Sequence, residues 1–211
     1  VTSRDSDLWD AEAATFDDEP DHGLRDPVVR EAWRALLRSV LPPVPSRVAD
    51  LGCGTGSLAL LLVEEGHAVD GVDVSPAMIR RARAKVGSFP GTSFVVGDAA
   101  HPPVADATYD VVLCRHVLWA LPSPADALDR WVGLLRPEGR LVLVEGSWST
   151  GAGLTGEQTV SLVAAAGLEA DHRPLPDRAY WGKTIDDERY VVVGRPAGRS
   201  RPKQRDSGAS L

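Results

Sequence analysis

The stretch that most limits what this chain can fold into is Val48-Ala49-Asp50-Leu51-Gly52-Cys53-Gly54-Thr55-Gly56-Ser57-Leu58. A short apolar run ends at three alternating glycines, and an apolar pattern at helical spacing (Leu58, Leu61, Leu62) starts at once. That order predicts a buried strand, a tight turn and the first turn of a helix. Gly52, Gly54 and Gly56 lack a Cβ, so the backbone there can take unusual dihedrals and a ligand can lie against it.

Spacing separates two nucleotide signatures that such a turn could belong to. The dinucleotide fingerprint sets glycines at its first, third and sixth positions. Counted from Gly52 the sixth position is Ser57, so that match is incomplete. A phosphate-binding loop of the form Gly-x-x-x-x-Gly-Lys-Ser/Thr fits only Gly182-Lys183-Thr184. Its leading position would be Asp177, and no strand pattern runs into it, so the phosphate loop is excluded.

Strand and helix patterns then alternate at the pace of βαβ units. Strands are expected at 47–51, 68–73, 93–97, 110–114, 140–145, 168–172 and 189–193. Helices are expected at 57–65, from the Ser75 cap to Lys85, at 123–135 and at 155–166, the last closing at Gly167. Before the first strand, Trp9, Ala13 and Phe16 fall at helical spacing, and a second helical pattern runs from Pro27 to Val40 until Pro42, Pro43 and Pro45 end it. In open sheets of this kind ligands bind at the carboxyl ends of the strands, so the residues just past each strand are the informative ones. Asp73 is one: it ends the second strand, 21 residues after Gly52. A carboxylate there can accept hydrogen bonds from both ribose hydroxyls of an adenosine group.

The sequence Asp50-Leu-Gly-Cys-Gly-Thr-Gly56, the acids at the second and third strand ends, and Gly97-Asp98-Ala99 followed by Tyr109-Asp110-Val111-Val112 resemble the class I S-adenosylmethionine (SAM) methyltransferases. The resemblance covers residues 46–146 well and extends more loosely to 194. It implies a Rossmann-like, doubly wound α/β fold with a seven-stranded, mostly parallel sheet whose last strand is antiparallel. It also implies SAM as cofactor, with S-adenosyl-L-homocysteine (SAH) as product. Residues 1–194 then form one domain, with 1–45 an N-terminal helical lid and 46–194 the core; 195–211 is a disordered basic tail.

The resemblance assigns the cofactor to Asp50, Gly52, Cys53, Gly54, Gly56, Asp73, Val74, Met78, Asp98, Ala99 and Arg115. Asp98 is expected to accept from the adenine amino group, the Ala99 amide to meet a ring nitrogen, and Val74 and Met78 to cover the ring. Asp50 either holds the cofactor's ammonium or stabilises the turn, and Arg115 anchors a carboxylate or forms an internal salt bridge. His116 is the candidate base, since an unperturbed imidazole titrates near pH 6.5. Trp9, Phe16, His116, Trp119, Trp148, Tyr180 and Trp181 are the expected substrate-binding residues, aromatics on loops giving contact area at low entropy cost. His172 and Lys183 are weaker candidates; His22, His67 and His101 look unspecialised. No metal site is expected. SAM is already an activated methyl donor, so alignment can supply about 7–11 kcal/mol, and the lack of a catalytic triad does not count against the assignment.

Charge bears on the partner. The formal charge is −7, and the tail from Arg195 contributes +4 through five basic residues and one acid, leaving −11 on the body. A body that acidic repels nucleic acid, so a small-molecule acceptor is expected in preference to RNA or protein. Nine acids fall in the first 26 residues, as a solvated helical face or as a lid whose field favours a cationic substrate. No Asn-Pro-Pro-Tyr or Asp-Pro-Pro-Tyr follows the fourth strand, the motif that related enzymes use on planar amino groups. The expected activity is methyl transfer to oxygen or nitrogen of a small metabolite, plausible in bacterial secondary metabolism. The alternatives are an RNA or protein methyltransferase, which needs a basic face; an NAD-binding protein, which Ser57 speaks against; and a SAM-binding module without transfer. No apolar run approaches the roughly 20 residues of a membrane helix, and the polar start does not resemble a signal peptide. Cys53 and Cys114 read as reduced structural thiols of a cytoplasmic protein, monomer or homodimer.

Overall fold

Seven strands hydrogen-bond into one sheet in the order β3-β2-β1-β4-β5-β7-β6. They are β1 Arg47–Leu51, β2 Ala68–Asp73, β3 Thr92–Val96, β4 Tyr109–Arg115, β5 Leu135–Ser147, β6 Leu168–Pro174 and β7 Glu188–Pro196. The computed structural model describes residues 3–43 and 45–197. Pairing is parallel from β3 through β5, and β7 inserts antiparallel to both β5 and β6. The seven expected strands are all present, including the antiparallel last one. The strand order reverses between β1 and β4, which opens a crevice above their carboxyl ends.

Helices cover both faces: α1 Ser3–Glu12, α2 Pro20–Gly23, α3 Pro27–Val40, α4 Ser57–Glu64, α5 Pro76–Val86, α6 Pro124–Leu134, α7 Gly156–Ala165 and α8 Arg178–Trp181. Start signals written in the sequence act as expected. Asp26 accepts from the Val28 and Val29 amides at the start of α3, Ser75 from Met78 at α5, and Thr155 and Gln158 form a capping box at α7. One apolar layer joins α3, α4, α5 and Trp181 to one face of the sheet; the other joins α6 and Val163 of α7 to the opposite face. Because side chains alternate along a strand, Val142 and Val144 enter the first layer while Leu141 and Leu143 enter the second.

Several bounds shift by a residue or two, and three differences go further. The apolar spacing Trp9–Ala13–Phe16 is not one helix: α1 stops at Glu12, and Phe16 begins a separate 3-10 turn, Phe16–Asp18. β5 starts at Leu135 instead of Arg140, because Arg136-Pro-Glu-Gly139 stays in the sheet as an irregularity opposite Tyr109 and Val111. β7 continues through Pro196, two residues into the stretch read as a basic tail, while 198–211 lie outside the described residues. Among the described residues no helix is long and apolar enough to cross a membrane.

Candidate active site

The crevice at the strand tips opens into a cavity of about 390 Å³. Its floor is the glycine turn. Gly52, Gly54 and Gly56 have φ of 76°, 53° and 79°, the left-handed region that disfavours side chains. A Cβ at Gly52 would lie 2.3 Å from Val117 Cγ2, and one at Gly54 would lie 3.3 Å from the Phe16 ring. Gly56 serves a different end: its Cβ would meet Ala82 of α5 at 3.1 Å, so it lets α4 and α5 approach and does not line the cavity.

Two carboxylates flank the turn. Asp73 is buried and held by two backbone amides, Gly54 N–H to Oδ2 at 2.8 Å and Ser75 N–H to Oδ1 at 2.9 Å. Each oxygen keeps acceptor capacity. Burial raises its pKa despite those two bonds. Asp50 is 3% exposed, and its Oδ2 has no hydrogen-bond partner among the described residues. Burial pushes it up to about 7, against the pull of the Arg115 guanidinium. Arg115 is itself fixed: its Nη1 donates to the Asp21 carbonyl at 2.6 Å, and its guanidinium lies 5.1 Å from the Trp33 ring centroid.

The opposite wall is aromatic. His116 adopts φ 58°, its N–H donates to Val144 O at 2.9 Å, and its carbonyl accepts from Trp119 Nε1 at 3.0 Å. Its ring stands edge-on to Trp148, centroids 5.3 Å apart, and stacks near Trp181 at 5.9 Å. His116 Nε2 has no hydrogen-bond partner among the described residues, and burial with Arg115 and Arg189 nearby holds the imidazole well below its ordinary pKa, which favours the neutral ring. Phe16 stacks on His22 at 4.3 Å and closes the cavity from the N-terminal side with Trp9.

A second cavity of about 350 Å³ shares His22, His116 and Trp148 with the first and adds Trp181, Glu19, Asp21, Lys183, Ile185 and Arg189. The two cavities meet at His116.

The cavity thus gathers Asp50, Gly52, Cys53, Gly54, Asp73, Val74, Met78, Ala99, Arg115, His116, Trp9, Phe16, Trp119 and Trp148. Trp181 lines only the second cavity, with Nε1 donating to Leu175 O. Three expected site residues line neither: Gly56, which packs α4 against α5, Asp98 and Tyr180. Asp98 folds back so that Oδ1 accepts from the Ala100 amide at 2.8 Å. Tyr180 packs against Trp33, whose Nε1–H donates to the Tyr180 carbonyl at 2.7 Å. His172 lies beside Tyr190 and the start of α7, away from the cavities. His22, read as unspecialised, is a shared wall of both cavities.

The N-terminal segment is bolted down by its acids. Asp10 takes the Ser75 hydroxyl and the Ala77 amide at the start of α5. Asp17 takes the Thr55 hydroxyl and pairs with Lys85 Nζ at 2.9 Å, which also donates to Thr55 and Ser57. Of the nine acids, Asp17, Asp18 and Glu19 pair with Lys85, Arg25 and Lys183, while Asp10 and Asp26 accept from uncharged donors.

Residues 49–143 match a family model described as a methyltransferase domain, the segment that carries the glycine turn, both flanking carboxylates and the His116 loop. The match spans just under half of the chain and marks this segment as similar to methyltransferase domains. It is 37% identical over 140 residues to a trans-aconitate 2-methyltransferase of Rhodopseudomonas palustris, covering 64% of this chain and 49% of that protein. It is 32% identical over 116 residues to a demethylmenaquinone methyltransferase of Clavibacter sepedonicus, covering 54% and 47%. The chain spans about half the length of the curated relatives it matches. The fold is shared with the N-methyltransferase NodS from Bradyrhizobium japonicum, solved with SAH, at TM-score 0.71 and 21% identity over 89% of this chain and 98% of that one. A 1,6-didemethyltoxoflavin-N1-methyltransferase of Burkholderia thailandensis superposes at TM-score 0.67 and 22% identity, covering 90% and 87%.

Proposed function

We propose that this chain is a SAM-dependent methyltransferase acting on an oxygen or nitrogen of a small metabolite, with residues 46–194 as its core and the preceding helices as its lid. One observation carries the reading: a left-handed glycine turn that lines the cavity, flanked by Asp73 with spare acceptor capacity and by the Asp50 oxygen that has no partner among the described residues. The donor set fits SAM. Asp73 accepts the ribose hydroxyls, Asp50 the ammonium, and Arg115 faces the carboxylate; Gly52, Cys53 and Gly54 lie under it. Val74, Met78 and Ala99 line the cavity where they would cover the adenine. When bound, SAM supplies an activated methyl group on a sulfonium.

This chain's residues then orient the acceptor and exclude water. The aromatic side, Trp9, Phe16, Trp119 and Trp148, together with the second cavity and its Trp181, receives the acceptor. His116 stands where the two cavities join. A neutral imidazole with a free Nε2 can take a proton at that nitrogen, a contribution of about 10²–10⁴-fold where the acceptor must lose one. The lowered pKa of His116 makes it a weak base, so it acts on an acidic acceptor group or hydrogen-bonds it in place. Acidic charge on the body supports a small acceptor over nucleic acid. Free, buried Cys53 and Cys114 suit a reducing compartment such as the bacterial cytoplasm.

Thermal-shift measurements with SAM, SAH, NAD and ATP test the cofactor. Stabilisation by SAM and SAH is expected; stabilisation by NAD alone would reverse the assignment.

A further inference from the structure

Alternation along β5 directs Leu141 and Leu143 into the apolar layer formed with Leu128 and Trp131 of α6, and it directs residue 145 to the same side. The residue there is Glu145, with no solvent exposure. Its Oε1 accepts from the Val117 amide at 3.2 Å and the Leu118 amide at 2.9 Å. Its Oε2 has no hydrogen-bond partner among the described residues. An apolar residue would extend the layer smoothly but leave both amides with only the weak acceptor of the buried Cys114 sulfur, at the start of the 3-10 turn Leu118–Ala120.

Those two amides belong to a segment with two working faces. On one side the Val117 side chain fills the space that a Cβ at Gly52 would need. Gly52 is in turn tied to β2 by its N–H to Val72 O at 2.8 Å. On the other side lie the left-handed His116 and Trp119, joined by the Trp119 Nε1 bond to the His116 carbonyl. Glu145 itself does not line either cavity.

We propose that Glu145 is a positioning residue: from the tip of β5 it holds residues 117–118 so that Val117 seats the glycine turn and His116 and Trp119 keep their places in the cavity wall. The proposal rests on the reading of that cavity as the SAM site. It predicts an effect on cofactor affinity from a side chain that never touches the cofactor.

The test is calorimetric titration of SAH into wild type, Glu145→Gln and Glu145→Ala, with amide hydrogen exchange at Val117 and Leu118 in each. Glutamine keeps an acceptor oxygen, so E145Q is expected to bind within about threefold of wild type and to keep both amides protected. E145A is expected to bind about tenfold or more weakly and to lose protection at those amides, with β4 and β5 unchanged. Rescue by glutamine separates positioning from bulk packing. Equal affinity in E145A and wild type, or an equal loss in E145Q and E145A, would overturn the role. If E145A does not fold, unprotected Val117 and Leu118 amides in folded wild type or E145Q would overturn it, and protection in both would support it. A wild-type protein that ignores SAH would instead overturn the cofactor reading, while the exchange arm still decides whether Glu145 holds the segment.

Discussion

The glycine-turn side of the cavity and its aromatic side are built by different means. Asp50 and Asp73 sit at the ends of β1 and β2, whose parallel register pairs Leu51 with Val72 next to both. Their placement follows from backbone hydrogen bonds within one sheet. The aromatic side takes His22 from α2, Trp119 from beyond β4, Trp148 from beyond β5 and Trp181 from α8. Contacts between side chains of separate segments hold that side in place. The first arrangement is rigid and suits a ligand that never changes; the second can be rebuilt residue by residue to suit a different acceptor.

That contrast breaks if changes on the turn side spare the cofactor, or if changes on the aromatic side abolish its binding. The largest effect is expected from Gly52→Val. Left-handed backbone costs a side-chain-bearing residue about 1–2 kcal/mol, and the clash with Val117 adds to that. Calorimetry should detect no SAH binding, with the circular dichroism of the fold retained.

A pH titration of SAH affinity should come next in size. Asp50 must be ionised to hold an ammonium, and burial sets its pKa at about 7. Affinity should therefore rise by about tenfold as the pH passes from 6 to 8, and Asp50→Asn should flatten that rise. The sign for stability is opposite. Folded Asp50 keeps a proton that the unfolded chain releases, so its contribution is full below the ordinary carboxylate pKa and is lost as the pH rises to about 7. Glu145, pushed up to about 8 by burial, acts in the same direction over a slightly wider window. The D50N melting temperature should accordingly vary less with pH between 4 and 7 than that of wild type.

Trp148→Ala sharpens the comparison from the other side. SAH affinity should stay within about threefold, while transfer from labelled SAM to acceptors in cell extracts should fall at least tenfold. Lys183→Ala should do least. Its pair with Glu19 at 3.3 Å is more than half exposed on both sides, so the melting temperature should move by about 2 °C or less.

The same division explains what could be read from the sequence. β1 and β2 match their expected bounds, and Asp50, Gly52, Gly54 and Asp73 meet around one cavity, because strand ends and turn glycines are local signals. Long-range partners left no such mark. The Asp17–Lys85–Thr55 cluster joins residues far apart in the chain, and His22 is placed by Phe16 stacking and by Arg115, which anchors α2 through the Asp21 carbonyl. Tyr180 and Trp181 read as a loop pair in the sequence, yet the short helix α8 packs both against Trp33 and buries Trp181. One signal was available: Glu145 interrupts the apolar alternation of β5, and a carboxylate in that register implies amides that need it.

The central claim is that Asp73 and the glycine cradle receive the ribose of one adenosine-bearing cofactor. Calorimetric titration of SAH into wild type and Asp73→Ala tests it most directly. Loss of hydrogen bonds to a charged acceptor is worth about 1.5–3 kcal/mol, so the variant should bind about 10- to 150-fold more weakly while the wild type binds one SAH per chain. Equal affinity in the two proteins, or tight binding of NAD with none of SAH, would contradict it.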